Sequence, residues 1–461
     1  MSLSKNAKIL IVVVVVIVVV VAGVTGVFLL TPKKTNKILI GMPLPLNSPI
    51  GQNMLDSAQL AVDQINGNGG VTINGSKYQL SIVSYDTQEA DPSIPVSNGL
   101  SAITALVTSD HVNFLVGGYR SDVVDAELPL VSQYHTVYIT FGADPEISTY
   151  VQQNYSAGKY IFNGFVNSTN QGAQYGALPV YMLFAYKEGL YPVNITRIAV
   201  LGEQAAWTRP DIQNGSTTSP LWGAFDAAGF NVTYVNYFPL SPPGGSYDSL
   251  FSQLAQLNTQ AIYILAAGTE TPLLISDWNS FNWAGDTASG GHKPVMMGAD
   301  VMSEFEGSAY DYFNATNGAS SGEFSFGWGP MLPVNITNSS IPFYDAFVAK
   351  YNYNPIFEDD FVYSSIYYLA QAITKAQSLS SDKVIPYLQQ TNYSGPAGII
   401  KFSSNHGLVV NLKPVPSIPA VAMQWHSDGK LYLVWTSLDP LYFQNIQLAN
   451  GTVIKSFNVT V

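Results

Sequence analysis

With 461 residues, 31 acidic against 19 basic side chains and a formal charge of −12, the chain is long enough for two to four domains at roughly 100–200 residues each, and it offers no basic face for nucleic acid. Hydrophobic residues at 47% exclude wholesale disorder, and charged residues at 11% leave Tyr, Asn, Ser and Thr to carry the polar surface. The absence of cysteine removes disulfides, cysteine-ligated zinc, iron–sulfur clusters and thiol nucleophiles together.

Ile9 to Leu30 is an uncharged run of 22 residues, long enough at about 1.5 Å per residue to cross a hydrocarbon layer of about 30 Å. It reads as a transmembrane anchor over 9–30 with a linker over 31–36. A secretory apolar region is shorter, roughly 7–15 residues, although Val21-Ala22-Gly23 offers a cleavable site. Lys5 and Lys8 precede the run and Lys33, Lys34 and Lys37 follow it, so flanking charge leaves the orientation open. Asn-x-Ser/Thr occurs twelve times, at Asn74, Asn154, Asn167, Asn194, Asn214, Asn231, Asn314, Asn335, Asn338, Asn392, Asn450 and Asn458, always after the span. Chance in an Asn/Ser/Thr-rich chain supplies several of these; the set as a whole points to a glycosylated outer surface, with the chain beyond Lys37 outside the cytoplasm.

From Lys37 the pattern alternates between short apolar strands and amphipathic stretches, which predicts parallel sheets of βα units. Ile38 to Met42 reads as a strand. Leu55, Ala58, Ala61, Val62 and Ile65 then recur at helical spacing, and Asn66 to Gly70 stops that helix. An Asn74-Gly75 turn leads into a strand over Gln79 to Tyr85. A helix near Val96 to Val107, a strand Asn113 to Val116, a helix Val123 to Gln133 and a strand Val137 to Thr140 follow, giving four strands in this half. The rhythm restarts with strands at Arg197 to Leu201, Val232 to Phe238, Ala261 to Ala266 and Pro294 to Gly298, and helices at Leu221 to Ala228, Leu250 to Leu257 and Leu273 to Phe281. Two successive doubly wound sheets of similar size imply two lobes facing a cleft, with ligands outside the carboxyl ends of the strands. After Asp300 come helices near Phe343 to Lys350, Val362 to Ala376 and Val384 to Gln390, then strands at Gly398 to Phe402 and across Val421 to Val434, the latter turning at Asp428-Gly429. These pieces complete the two lobes rather than form a third domain.

Enzyme signatures fail on context. Gly318-Ala319-Ser320-Ser321-Gly322 matches G-x-S-x-G, but a nucleophile elbow sits between a strand and a helix, whereas here strand-like Phe324 to Trp328 follows. Gly70 to Lys77 comes near a phosphate loop but reads Gly-Ser-Lys where the chemistry needs Lys before Ser or Thr, so it is a hairpin turn. His111, His135, His292, His406 and His426 never stand at helical spacing, which argues against a zinc site on one helix. Glu358-Asp359-Asp360 precedes a strong helix, where carboxylates favour the positive end of its dipole; a cation site needs more oxygens than the run supplies.

Ile40-Gly41-Met42-Pro43-Leu44, Gly51, Ala58 to Asn66, Gly69-Gly70-Val71, Tyr85-Asp86-Thr87 with Asp91-Pro92, Val116-Gly117-Gly118-Tyr119-Arg120-Ser121 and Leu128-Pro129-Leu130-Val131 form an ordered set. It resembles the type 1 extracytoplasmic solute-binding proteins, in particular the leucine/isoleucine/valine-binding branch of ABC importers. Gly395-Pro396-Ala397-Gly398 with Phe402 and Gly407, and Gln424 to Gly429, are similar to that family's closing segment, so the likeness covers nearly all of residues 37 to 436.

The resemblance implies an α/β fold of two doubly wound lobes with a ligand cleft, and it implies site residues. Ser121 takes the place of a serine that bonds a ligand carboxylate, at a helix start where free N–H groups favour an anion; a plain N-cap would also explain it. Gly142-Ala143-Asp144 matches a loop of small residues followed by threonine, and Asp144 departs from it; a carboxylate there repels an anionic ligand unless protonated or paired with Arg120. Asp300, after Met297-Gly298-Ala299, is expected to face the cleft and accept the ligand ammonium. Trp207 falls in register with an aromatic that packs on the ligand, core packing being the equal alternative. Ala267-Gly268 replaces a further aromatic, so the pocket floor is altered.

The expectation is a non-enzymatic, membrane-anchored monomer without cofactor that captures a small solute, an amino acid or amide-like molecule, between lobe one (37–166 and 328–410) and lobe two (167–327 and 411–461), and delivers it to an ABC permease. Composition suggests an archaeal surface. A ligand-sensing ectodomain is the first alternative, disfavoured because only about eight residues precede the span; a structural surface glycoprotein is another, and an extracellular hydrolase lacks a nucleophile, metal set or base.

Overall fold

The structure is a computed structural model; it describes residues 36–174, 195–212, 220–285, 292–308, 310–411, 417–448 and 450–458. The apolar run Ile9 to Leu30 and the sequons at Asn194 and Asn214 lie outside these residues. Among the described residues no helix is long and apolar enough to cross a membrane.

The first sheet has six strands: β1 (Asn36–Leu44), β2 (Val71–Ile73), β3 (Ser76–Asp86), β4 (Phe114–Gly117), β5 (Tyr138–Thr140) and β6 (Ile161–Asn163), in the order β2-β3-β1-β4-β5-β6. All neighbours are parallel except the β2/β3 hairpin, which turns at Asn74 and Gly75, both at positive φ, as a tight two-residue hairpin requires. The sequence predicts only four of these strands. The two it misses, β2 and β6, are three residues long, too short for an alternation to stand out from its surroundings.

The helix Pro49–Gly67 starts on Ser48, whose Oγ accepts from Gly51 N at 3.4 Å, with proline in the first turn where its missing N–H does no harm. It lays Met54, Ala58, Ala61 and Ile65 on the sheet. The late helix Asp359–Ala376 returns to pack against it and over β2 and β4, so residues more than three hundred positions apart share one core.

The second sheet takes β7 (Arg197–Gly202), β8 (Asn231–Tyr237), β9 (Ala261–Ala266), β10 (Val295–Asp300) and β11 (Phe324–Trp328). A small hairpin, β12 (Tyr393–Gly395) and β13 (Gly398–Ile400), stands apart from it. Four further strands, β14 (Ala420–Trp425), β15 (Leu431–Thr436), β16 (Tyr442–Gln447) and β17 (Val453–Asn458), then extend the sheet to nine in the order β17-β16-β15-β14-β11-β10-β9-β7-β8. The expected equality of the two sheets is therefore corrected: β14 pairs antiparallel with β11 and the following hairpins build outward from it. β9, at the centre of the parallel part, is buried at every residue, as a strand covered on both faces must be.

In both sheets the strand order reverses in the parallel part, at β1/β4 in the first and at β7/β9 in the second. Crevices open at such points beyond the carboxyl ends of the strands.

Candidate functional site

A cavity of about 770 Å³, counted with its opening, lies where the carboxyl-end loops of the two sheets meet. This is within the usual size of small-molecule sites. The loops after β3, β4 and β5 line one side, and those after β7, β9 and β10 the other.

On the first side, the turn after β4 depends on Gly118 at φ +75°, where a Cβ would collide with Tyr138 Oη. The turn delivers Tyr119, Arg120 and Ser121 to the cavity. Glu89, from the loop after β3, holds them in place: Oε1 accepts from Tyr119 N and Oε2 from Arg120 N, both at 3.2 Å, and Thr87 Oγ1 donates to Oε1 at 2.9 Å. Burial pushes the Glu89 carboxyl up to about 7, against the pull of these donors and the Arg120 charge. The sequence reading missed Glu89. Its signal was an acid just beyond Tyr85-Asp86-Thr87, in a loop at the carboxyl end of a strand.

Arg120 lines the cavity, but its guanidinium is engaged: Nε with Asp122 Oδ1 at 2.7 Å, Nη1 with Asp91 O at 2.8 Å and Nη2 with Ile94 O at 2.9 Å. Its carboxylate partner is Asp122 and not Asp144, so of the two conditions under which Asp144 would spare an anionic ligand, pairing with Arg120 is not met. Arg120 also occupies the N-cap of the helix Ser121–Tyr134 without a side-chain cap bond. Ser121 is thus not that cap; it sits in the first turn, and its Oγ accepts from Ala143 N at 3.0 Å.

Of the loop after β5, Ala143 lines the cavity and neither Gly142 nor Asp144 does. Gly142 packs on Ile147 and Val124, and its carbonyl accepts from Asn163 Nδ2 at 3.0 Å. Asp144 is buried and caps its own turn by accepting from Glu146 N at 2.9 Å. Burial raises its carboxyl, with the Glu146 N–H and the Arg209 charge acting in the other direction.

On the second side, Trp207 lines the cavity as the sequence register implies. Glu203, the residue after β7, fixes it by accepting from Trp207 Nε1 at 2.6 Å on Oε1, while Oε2 accepts from Ala267 N at 3.0 Å and Gly268 N at 2.9 Å. Glu203 is another residue that sequence reasoning passed over. Ala267 and Gly268 themselves line the cavity, and the Tyr119 hydroxyl reaches across to donate to the Ala267 carbonyl.

Asp300 is not brought to the cavity. Ala299 and Val301 on either side of it line the space, and alternation along an extended chain turns the residue between them to the other face. There Asp300 is buried and accepts from Thr271 Oγ1 at 2.9 Å, Tyr312 Oη at 2.8 Å and Met302 N at 3.0 Å. Burial pushes it up to about 6.

The back of the cavity is aromatic and acidic. Phe165, just past β6, stands edge-on to Trp328 at the end of β11, with ring centroids 5.9 Å apart and planes at 89°, and packs on Phe357 at 5.2 Å. Glu304 Oε2 accepts from Phe357 N at 2.9 Å. Glu358 lines the cavity with Oε2 buried and unpartnered among the described residues. Burial raises both carboxyls well above the usual range, and each charge would raise the other or its neighbours further. The run Glu358-Asp359-Asp360 does start the helix, with Glu358 at the N-cap and Asp359 and Asp360 in the first turn, and it is buried there; Asp359 Oδ2 accepts from Ile356 N at 2.9 Å. Among the described residues no group of three or more His, Cys, Asp or Glu is placed to hold a metal ion. The formal match at Gly318 to Gly322 is a turn ahead of β11, with Ser320 buried on Thr316.

The family model described as periplasmic binding protein matches residues 37–415. Among solved structures, the chain is similar to the branched-chain amino acid transporter substrate-binding protein LivJ of Streptococcus pneumoniae in complex with isoleucine, at 18% identity over 87% of this chain and 99% of that one, with a TM-score of 0.62. A putative branched-chain amino acid ABC transporter protein of Silicibacter pomeroyi matches at 15% identity over 87% and 96%, with a TM-score of 0.64. A solute-binding protein of an ABC transporter from R. palustris, in complex with benzoate, matches at 16% identity over 87% and 97%, with a TM-score of 0.63.

Proposed function

Since the chain belongs to the periplasmic binding protein family, we propose that it is the substrate-binding protein of an ABC importer, which captures a small amino-acid or amide-like solute by closing two lobes and presents it to a membrane permease. The observation that carries this reading is the cavity itself: both sheets contribute their carboxyl-end loops to it, and Tyr119 bonds across it to Ala267. Hinged closure is the ordinary way such a pair of domains takes up a ligand.

The lobes we assign are 37–166 with 328–410 and 167–327 with 411–461. The packing of the helix Asp359–Ala376 on Pro49–Gly67 and the membership of β14 to β17 in the second sheet support that division. The solute contacts we assign are Ser121, Ala143, Arg120 and Trp207, together with Glu89, Glu203, Glu304 and Glu358. We further propose that the run Ile9 to Leu30 is retained as the anchor and that the binding domain is a glycosylated monomer at the cell surface. Of the ten described sequons, nine are exposed and only Asn167 is half-buried, which favours glycan access.

A thermal-shift screen against amino acids, amides, short peptides, urea and sugars tests the reading. A solute at a hundredfold excess over its Kd stabilises the fold by about 2.7 kcal/mol. No shift with any class, from a protein that melts cooperatively, contradicts it.

A further inference from the structure

On the basis of the solute-capture reading, we propose that this cavity selects a solute carrying a net positive charge, an ammonium or guanidinium group on an apolar body, and that Glu358 receives the charged group. Three observations lead there.

The first is the acidic lining. Four buried carboxylates, Glu89, Glu203, Glu304 and Glu358, face the cavity. Glu89 and Glu203 hold backbone N–H groups and the Trp207 indole, and Glu304 takes the Phe357 N–H. Glu358 Oε2 alone of these oxygens is buried with no partner among the described residues. An unmatched buried acceptor is costly unless a donor arrives, and a cationic donor fits it best.

The second is the absence of a matching anion receptor. Among the described residues lining the cavity Arg120 is the only basic one, and its guanidinium is committed to Asp122 and to the carbonyls of Asp91 and Ile94. The helix start at Ser121 carries Asp122 in its first turn, which offsets the attraction for an anion. A solute carboxylate would therefore enter among carboxylates.

The third is the wall. Phe165, Trp328 and Phe357 supply aromatic surface at the end where Glu304 and Glu358 stand, and Trp207 adds a further ring to the lining. Ring faces attract organic cations, more strongly once water is excluded.

Cation entry changes the protonation of the site. Burial raises the Glu358 carboxyl well above the usual range, and Glu304, Asp359 and Asp360 around it raise it further; the Tyr119 hydroxyl also faces its charge. An arriving cation favours the ionised carboxyl, so binding releases protons and tightens as pH rises.

Calorimetry on the full chain, in two buffers of different ionisation enthalpy, decides the matter with isoamylamine and agmatine against leucine, isoleucine and benzoate. The expected result is that a cation binds most tightly, releases protons, and loses about thirtyfold or more in affinity in Glu358→Gln, the lower end for removing one partner of a buried charge pair. Tighter binding of leucine, isoleucine or benzoate overturns the inference and leaves solute capture standing. Unchanged cation affinity in a Glu358→Gln variant of native melting temperature overturns the role of Glu358. Binding of no solute at all, by a cooperatively melting protein, overturns both readings.

Discussion

The Tyr119 hydroxyl donates to the carbonyl of Ala267, so a residue delivered by the turn after β4 is bonded to the residue that follows β9. Each end is itself fixed by a buried carboxylate: Glu89 accepts from Tyr119 N, and Glu203 accepts from Ala267 N. The two acids tie down the backbone of both loops, and the hydroxyl spans the gap between them.

Removing that bond should weaken capture without unfolding the protein. Tyr119→Phe keeps the ring in the cavity wall and deletes one hydrogen bond, a loss of about 0.5–1.5 kcal/mol, or roughly two- to tenfold in Kd. Calorimetric titration checks this; unchanged affinity means the bond contributes nothing to the closed form.

Asp300 should behave as a structural residue. Asp300→Ala strands the Thr271 and Tyr312 hydroxyls and Met302 N in the interior, at about 1–3 kcal/mol for each buried group left unsatisfied. A clear fall in melting temperature is expected, with the Kd of the remaining folded protein little changed. A stable variant that no longer binds solute would restore Asp300 to the cavity.

Stability should fall as pH rises above about 4.5. Glu89 has its carboxyl raised to about 7 and Asp300 to about 6, and Glu304 and Glu358 are raised well above the usual range, in each case mainly through burial. Between the ordinary value and the raised one the folded chain keeps a proton that the unfolded chain has released, so each group lowers stability by up to about 1.4 kcal/mol per pH unit. The carboxyls shifted the other way, Asp63, Asp91 and Asp382, are at the surface and offset little. Thermal melts should give a higher midpoint at pH 5 than at pH 7.5; a rise towards neutrality would contradict this.

Glycan mapping should follow exposure. Peptide mass spectrometry of protein from its native host is expected to find modified Asn at exposed positions such as Asn154, Asn231 and Asn338, and bare Asn167, whose side chain is half-buried and accepts from Asn170 N at 3.0 Å. Modification of Asn167 alone would contradict that order.

Much of the fold was legible because its strands are continuous apolar runs. β9 was expected over Ala261 to Ala266 and is found there, since a strand buried on both faces needs no alternation to be noticed. β2 and β6 are too short to leave a pattern, and β16 and β17 lie past the stretch where the βα rhythm offers guidance. At the site, Trp207 and Ala143 were legible through register. Asp300 was misplaced because one step along a strand reverses the facing of a side chain, and no composition or motif reports that step. Glu89, Glu203 and Glu304 were passed over, and Glu358, which does stand at the helix start, was not placed at the cavity, since an acid looks solvated until tertiary packing buries it.

The most direct test of the central claim is small-angle X-ray scattering from the purified chain, alone and with the solute that stabilises it most. Capture between two hinged lobes predicts a smaller radius of gyration and a shorter maximum dimension when the solute is bound, and Tyr119→Phe should reduce that contraction. Identical scattering with and without a saturating solute would contradict closure.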